Sequence, residues 1–292
     1  MTIQEIFKKA YIKYSLSPLD AGILLSLAIK RPREYILAHP EKKLSAIQMK
    51  KFDSFCTRRS NGEPVAYVTG KKEFFGLEFL VNKNVLIPRP ETELLVEHVL
   101  GKITDNKYKI PDTIFDVGTG SGNIIVSIAK NIPQIFQNEI NFYAIDISKE
   151  SLQVAKANAK RYKLNKKIKF IQSDMLEYFL KRKTKLENIL IIANLPYVSE
   201  NIYKKNYKNL KYEPKKALLS KNKGLGYYLK FFKQLKKIPS KCYILHVTCF
   251  VEFSPEQKPE IGRIIQKYWP KAKTAFFRDL AGKWRMAKIE IA

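Results

Sequence analysis

The chain reads as an α/β protein: a doubly wound, mostly parallel seven-stranded sheet, preceded by a small N-terminal helical domain and a β-hairpin linker. Three observations predict it. From about Pro111 onward, short apolar runs alternate with amphipathic segments across short polar loops, the pattern of a parallel sheet covered by helices. The first of those runs ends in Gly118, Gly120 and Gly122, a break suited to the turn from a strand into a helix. Residues 1–72 lack this alternation and carry apolar positions at helical spacing instead.

Within residues 1–72, Ile6, Ala10, Tyr11 and Tyr14 form one helical face, and Ile23, Leu24, Leu27 and Ala28 another. Asp20 is expected to cap the second helix and Pro32 to help end it, with a third helix over 45–59. This region carries no Gly-rich loop and no cluster of acid, base or metal-binding side chains, so it reads as a recognition or docking domain. Residues 73–90 form the linker, with a hairpin over 73–88 turning at Asn82-Lys83-Asn84. Pro90-Glu91-Thr92-Glu93 suits a helix start, because Pro needs no donor there and acidic side chains favour the positive end of the dipole. It opens the large domain, 91–292.

In the large domain, strands are expected over 113–117, 141–145, 168–172, 189–193, 242–247, 274–277 and 286–291. Helices are expected over 123–130, 149–162, 224–237 and 256–269. The last two strands have no clear helix between them, which predicts an antiparallel strand at the sheet's edge.

Composition narrows the setting. At 292 residues and 45% hydrophobic, the chain is globular and large enough for two domains. Cys56, Cys242 and Cys249 are an odd number without C-x-x-C spacing, so a disulfide framework is not expected and a reducing cytoplasm fits. Residues 1–9 lack the apolar core of a signal peptide, and no apolar run approaches the ~20 residues that span a bilayer. No membrane partner and no metal are expected, and the chain is read as a monomer. The net charge of +27 attracts polyanions, which suggests a weak contact with RNA or the ribosome. Lys-rich codon usage explains the same excess. One cluster, Tyr203-Lys204-Lys205-Asn206-Tyr207-Lys208-Asn209-Leu210-Lys211-Tyr212, interleaves aromatics with lysines.

The glycine loop, Gly118-Thr119-Gly120-Ser121-Gly122, invites close approach of a ligand to backbone N–H groups at a helix start. Its G-x-G-x-G spacing differs from the G-x-G-x-x-G of dinucleotide sites, and Asp116 precedes it. A carboxylate there would repel a pyrophosphate but suits S-adenosyl-L-methionine, which carries a sulfonium and an ammonium and leaves as S-adenosyl-L-homocysteine. Asp146, closing the second strand, is placed for both ribose hydroxyls. Asp174 and Met175, after the third, would flank the adenine, the carboxylate on the exocyclic amine and the thioether on the ring. Asp146 and Asp174 also fit as helix caps.

Asn194-Leu195-Pro196-Tyr197 ends the apolar run 189–193, so it lies at a strand's carboxyl end, where open α/β sheets bind ligands. The Asn194 side-chain oxygen and the Leu195 carbonyl can accept both N–H bonds of a planar NH2 group, with Pro196 and Tyr197 on its faces. A strand-ending turn is the plainer explanation. His39, His98 and His246 show no placement as a base, and methyl transfer to an amide needs none before the proton leaves.

At this point the chain closely resembles the HemK/PrmC family of protein-glutamine methyltransferases. The resemblance rests on Arg58-Arg59, the segment 62–70, Glu73-Phe74 and Gly76-Leu77, then on Leu86-Ile87-Pro88-Arg89-Pro90-Glu91-Thr92-Glu93 and the glycine loop. Ala144-Ile145-Asp146-Ile147-Ser148, Tyr212-Glu213-Pro214 with Ala217-Leu218, and Asp279-Leu280-Ala281-Gly282 with Arg285 complete it. It implies a class I S-adenosylmethionine-dependent methyltransferase fold and methylation of the Gln in the Gly-Gly-Gln motif of peptide chain release factors. It also implies donor contacts from residues 118–122, Asp146 and Met175, with Asn194 at the methyl, and a glutamine site of Asn194 to Tyr197 with Arg89 and Glu91 beside it. The family has Pro where this chain has Leu195. Asn-Leu-Pro-Tyr also resembles the motif of rRNA adenine dimethyltransferases, so a nucleic-acid adenine methyltransferase is the alternative. A non-enzymatic RNA-binding descendant of the fold is a third reading, against which the intact loop and tetrapeptide weigh.

Overall fold

The computed structural model describes residues 1–105, 109–181, 187–238 and 246–291. They form two compact units, residues 1–71 with 207–212, and residues 72–206 with 213–292. No helix among the described residues is long and apolar enough to cross a membrane.

The first unit is helical: Ile3–Tyr14, Pro18–Ile29, Arg33–Ala38, Ala46–Ser60 and Val65–Thr69. Capping boxes start two of these helices, Thr2 with Glu5 and Ser45 with Gln48, each satisfying two otherwise orphaned N–H groups. Ile6, Ala10, Leu24, Leu25, Phe52 and Cys56 form the core. Two expectations are corrected. Ser17, not Asp20, caps the second helix; its hydroxyl accepts the Asp20 N–H at 3.1 Å, and Pro18 occupies the first turn. The Asp20 carboxylate is left to pair with Arg59 at 2.8 Å. Tyr11 is 70% exposed, because the buried stripe runs through Ile3, Ile6 and Ala10 and a phenol tolerates water.

At the boundary of the two units β1 (Lys71–Phe74) begins, and it pairs with β2 (Leu77–Leu80) as a hairpin. Its turn is Phe75-Gly76, with φ of +50° and +67°, not Asn82-Lys83-Asn84. A two-residue hairpin turn of type I′ needs two left-handed residues, and Gly76 supplies one without strain. Asn82 instead makes a local turn, its side chain accepting the Asn84 N–H at 2.9 Å.

The large sheet has seven strands: β3 (Thr113–Val117), β4 (Asn141–Asp146), β5 (Ile168–Gln172), β6 (Asn188–Ala193), β7 (His246–Glu252), β8 (Lys273–Arg278) and β9 (Trp284–Ile291). Their order is β5-β4-β3-β6-β7-β9-β8. β3 to β7 are parallel, and β9 runs antiparallel to both β7 and β8. The antiparallel strand is therefore internal, and β8 takes the edge. Burial explains the choice: Met286, Ala287 and Ile289 of β9 are buried, whereas β8 begins with three exposed residues. β7 continues past Val247 to Glu252; Cys242 and residues 243–245 of the expected strand lie outside the described residues.

Helices Glu93–Thr104, Asn123–Asn131 and Lys149–Arg161 cover one face of this sheet, and Gly226–Leu235 and Lys258–Tyr268 the other. Register aligns the carboxyl ends. Val117 pairs with both Ile145 and Ala193, and Ala193 with Val251. Gly118, Asp146, Asn194 and Glu252 therefore come level, astride the switch in strand order between β4-β3 and β6.

Two buried polar groups tie this frame together. Asn158, fully buried, accepts the Leu80 N–H at 2.7 Å and donates to the carbonyls of Leu80 (3.0 Å) and Ser121 (2.9 Å), joining hairpin to glycine loop. Asn158→Ala is expected to lower unfolding stability by about 2–4 kcal/mol, since three backbone groups, the Ser121 carbonyl buried and the two of Leu80 partly so, lose their partner; an unchanged urea midpoint would contradict this. Asp116 lies fully buried on β3, and burial pushes its carboxyl up to about 7 although the Thr119 hydroxyl, at 2.7 Å, opposes the rise. The native state thus holds this proton more tightly than the unfolded chain. Its stabilising effect is complete below about pH 4 and is lost as pH rises through about 7. Asp116→Asn should gain stability relative to the wild type across that window in pH-dependent urea unfolding; parallel curves would count against it.

Candidate active site

The glycine loop hangs from β4. Gly118 and Thr119 both donate to the Ile145 carbonyl, at 2.8 and 2.9 Å. Gly118 has φ +76°, and a Cβ there would sit 3.3 Å from Leu195 Cδ2; at Gly122, φ +78°, it would sit 3.1 Å from Ala155 Cβ. These positions need glycine for conformation and for close packing. Thr119 and Ser121 are buried, their hydroxyls bonded to Asp116 and Asn123, so what the loop can offer a ligand is backbone. Asp116 is a correction. The sequence placed its carboxylate near the donor; in the structure it has no exposed surface and accepts the Thr119 hydroxyl, bracing the loop.

Asp146 lies beside the loop, partly exposed at the end of β4. One carboxylate oxygen accepts the Gly120 N–H and the other the Ser148 N–H, both at 2.9 Å. Each oxygen keeps lone-pair capacity for a hydroxyl. Ser148, not Asp146, caps the following helix. Asp174 is paired with Lys230 of the helix Gly226–Leu235, so an amine arriving at this carboxylate would compete with a lysine. Met175 is buried, in left-handed backbone at φ +53°, with its side chain in the core beside the site.

At the end of β6, the Asn194 Nδ2 donates to Thr92 Oγ1 and to Glu252 Oε2, both at 3.1 Å. Among the described residues Oδ1 accepts no hydrogen bond, so the partly exposed carboxamide offers an acceptor. The Leu195 side chain is buried against Gly118. Its carbonyl lies 3.3 Å from the Tyr228 hydroxyl, whose single proton has a shorter contact with the main-chain carbonyl of Glu252. One face of the Leu195 oxygen is thus taken weakly and a second lone pair remains. The Tyr197 hydroxyl donates to Glu252 Oε1 at 3.1 Å, while Gln257 Nε2 donates to its carbonyl at 3.0 Å. At Gly224, φ +93°, a Cβ would stand 2.1 Å from that carbonyl, so only glycine fits.

Glu252 and Thr92, both buried, were not singled out by sequence. The available signal was an acidic residue directly after the mostly apolar run 247–251, which the expected strand end at Val247 concealed. Arg89 pairs with the buried carboxylate of Glu213, which also accepts the Ile87 N–H at 3.1 Å, and Glu91 is exposed. Both lie on the segment that carries Thr92. In the basic cluster Tyr203 is buried, and the Tyr212 hydroxyl donates to the Asn61 carbonyl at 2.9 Å, so these two rings serve packing. His246 opens β7, at the opposite end from Glu252.

The residues fit a nucleoside carrying a cationic amino acid: backbone N–H groups in the loop, carboxylates after two strands and no basic group on the loop to meet a phosphate. Known proteins agree. Residues 3–70 match the family described as PrmC N-terminal domain, and residues 111–248 the family described as methyltransferase domain. The chain is 33% identical over 285 residues to the release factor glutamine methyltransferase of Clostridium botulinum, covering 97% of this chain and 94% of that one. With the enzymes of that name from Bacillus cereus and Bacillus subtilis it shares 32% and 34% identity, over 93% and 91% of its length and 92% and 88% of theirs. Among solved structures, the hMettl16 catalytic domain in complex with a MAT2A 3′UTR hairpin superposes with a TM-score of 0.52 at 17% identity, covering 79% of this chain and 80% of that one, a likeness of fold alone. A glycine loop and an asparagine held side by side at a sheet's carboxyl edge, in a chain related end to end to these enzymes, identify it as a member of the release factor glutamine methyltransferase family.

Proposed function

We propose that the chain transfers a methyl group from S-adenosyl-L-methionine to the side-chain amide nitrogen of the glutamine in the Gly-Gly-Gln motif of release factors. The observation that carries this reading is the Asn194 carboxamide, with its NH2 committed inward and its oxygen left as an acceptor. An amide nitrogen is a poor nucleophile because its lone pair is delocalised; the same resonance in a peptide gives a rotation barrier of ~18–20 kcal/mol. Asn194 Oδ1 and the Leu195 carbonyl take the two N–H groups, which aims the nitrogen's face. The rings of Pro196 and Tyr197 hold the amide plane between them. Orientation and fixed dipoles of this kind contribute several kcal/mol, with no base in the transfer step.

The donor supplies an electrophilic methyl carbon on a sulfonium. Loop N–H groups from residues 118–122 and the Asp146 carboxylate bind its polar groups, and Asp174 receives the adenine amine once Lys230 yields. The helical unit, matched over residues 3–70 to the PrmC N-terminal domain, recognises the release factor. A cytoplasmic location accords with that substrate.

Incubation with methyl-labelled donor, the cognate release factor and rRNA tests the reading: label is expected on the motif's glutamine, and label in rRNA alone would overturn it. Asn194→Ala should lower kcat by about 10²-fold or more while leaving donor Kd within a few-fold; a large loss of donor affinity in calorimetry would refute its role. Asp146→Ala should do the reverse, weakening the donor by about tenfold or more, and unchanged affinity would refute the ribose contact.

A further inference from the structure

Glu252 takes no part in the reading above, yet the site's side chains converge on it. It closes β7, is 1% exposed, and faces three donors: Asn194 Nδ2 at 3.1 Å on Oε2, the Tyr197 hydroxyl at 3.1 Å on Oε1, and the Thr92 hydroxyl. Because Thr92 gives its proton to Glu252, Thr92 Oγ1 is free to accept the second Asn194 N–H, at 3.1 Å. The inner edge of the Asn194 carboxamide therefore meets two acceptors. Rotated end for end, it would set its oxygen against those acceptors and present NH2 to the NH2 it must hold. That arrangement pairs donor with donor and acceptor with acceptor.

We propose that Glu252 is a positioning residue that locks the Asn194 carboxamide with Oδ1 outward, and that it does so only as a carboxylate anion. The proposal rests on the role given to Asn194 above. An ionised carboxylate is acceptor-only and can take all three donors at once. A carboxylic acid must donate one proton, and when Oε2 carries it the Asn194 NH2 loses that acceptor and the constraint on the carboxamide is lost.

The groups facing Glu252 come from every neighbouring element: Tyr197 after β6, Tyr228 on the helix Gly226–Leu235, Arg285 on β9, and Glu91 on the turn before helix Glu93–Thr104. Arg89, from that same turn, acts on Tyr197. Arg285 is itself paired with Asp279 at 3.0 Å. Burial pushes the Glu252 carboxyl up to about 7; Thr92, Tyr197 and the Arg285 charge oppose that rise, and Glu91 adds to it. The switch between clamp and no clamp thus falls in the neutral range.

The test uses the full chain with its release factor and donor, comparing wild type, Glu252→Gln and Glu252→Asp. Wild-type kcat should rise about tenfold per pH unit below about 7 and level off above it. Glu252→Gln should lose that rise and fall by about 30-fold or more at pH 8, with donor Kd, KM for the release factor and melting temperature nearly unchanged. Glu252→Asp, which keeps the charge, should recover part of the rate and the pH dependence. A Glu252→Gln kcat within threefold of wild type, or a retained pH rise, would overturn the proposal. So would a loss of donor binding and of melting temperature in both variants, which marks a folding residue. A wild type that leaves the release factor unlabelled fails the substrate reading instead, and that arm is read before any variant.

Discussion

A carboxamide has two ends of nearly equal shape and opposite hydrogen-bonding sense, and the proposed site depends on which end of Asn194 faces outward. Nothing in the residue itself decides it. The decision is made by Thr92 and Glu252, from two other elements, which present acceptors to the inner edge. Sheet register places Glu252: Ala193 pairs with Val251, so the next residue on each strand, Asn194 and Glu252, emerges beside the other, while Thr92 comes from the turn Pro90–Thr92. The fold reaches the chemistry through that one row.

The same row carries the proposed donor side. Val117 pairs with Ile145 and with Ala193, which sets the glycine loop between Asp146 and Asn194. Leu195 packs beside Gly118, which joins the two halves of the site. Asp146 is already bonded to Gly120, and the loop is held in shape by a residue with acceptor capacity to spare. Leu195 precedes a proline, which disfavours helical backbone at that position, and its buried side chain lies beside Gly118.

What could be read from sequence was local. Apolar runs of strand length, glycines at a strand-to-helix turn, and an Asn-x-Pro-aromatic end all announce themselves within a few residues, and they gave the sheet, the loop and the tetrapeptide. What could not be read depends on partners far along the chain. Thr92 and Glu252 touch Asn194 from 102 and 58 residues away; strand register reveals Glu252, and only the packed turn Pro90–Thr92 reveals Thr92. Asp116 looked like a ligand because its neighbours in sequence are the loop, but strand alternation turns it into the core. Asn82-Lys83-Asn84 has turn composition, yet the hairpin closes earlier, where Phe75 accepts a left-handed backbone beside Gly76. β9 goes inside the sheet because it is the more apolar of the last two strands, a comparison that spacing alone does not make.

The most direct measurement is a crystal structure with S-adenosyl-L-homocysteine and a Gly-Gly-Gln peptide. The account predicts the glutamine nitrogen about 3 Å from Asn194 Oδ1 and from the Leu195 carbonyl, with the Asn194 NH2 still on Thr92 and Glu252. A peptide amide bound elsewhere, or an Asn194 whose NH2 has turned toward the peptide and left Glu252, would contradict it.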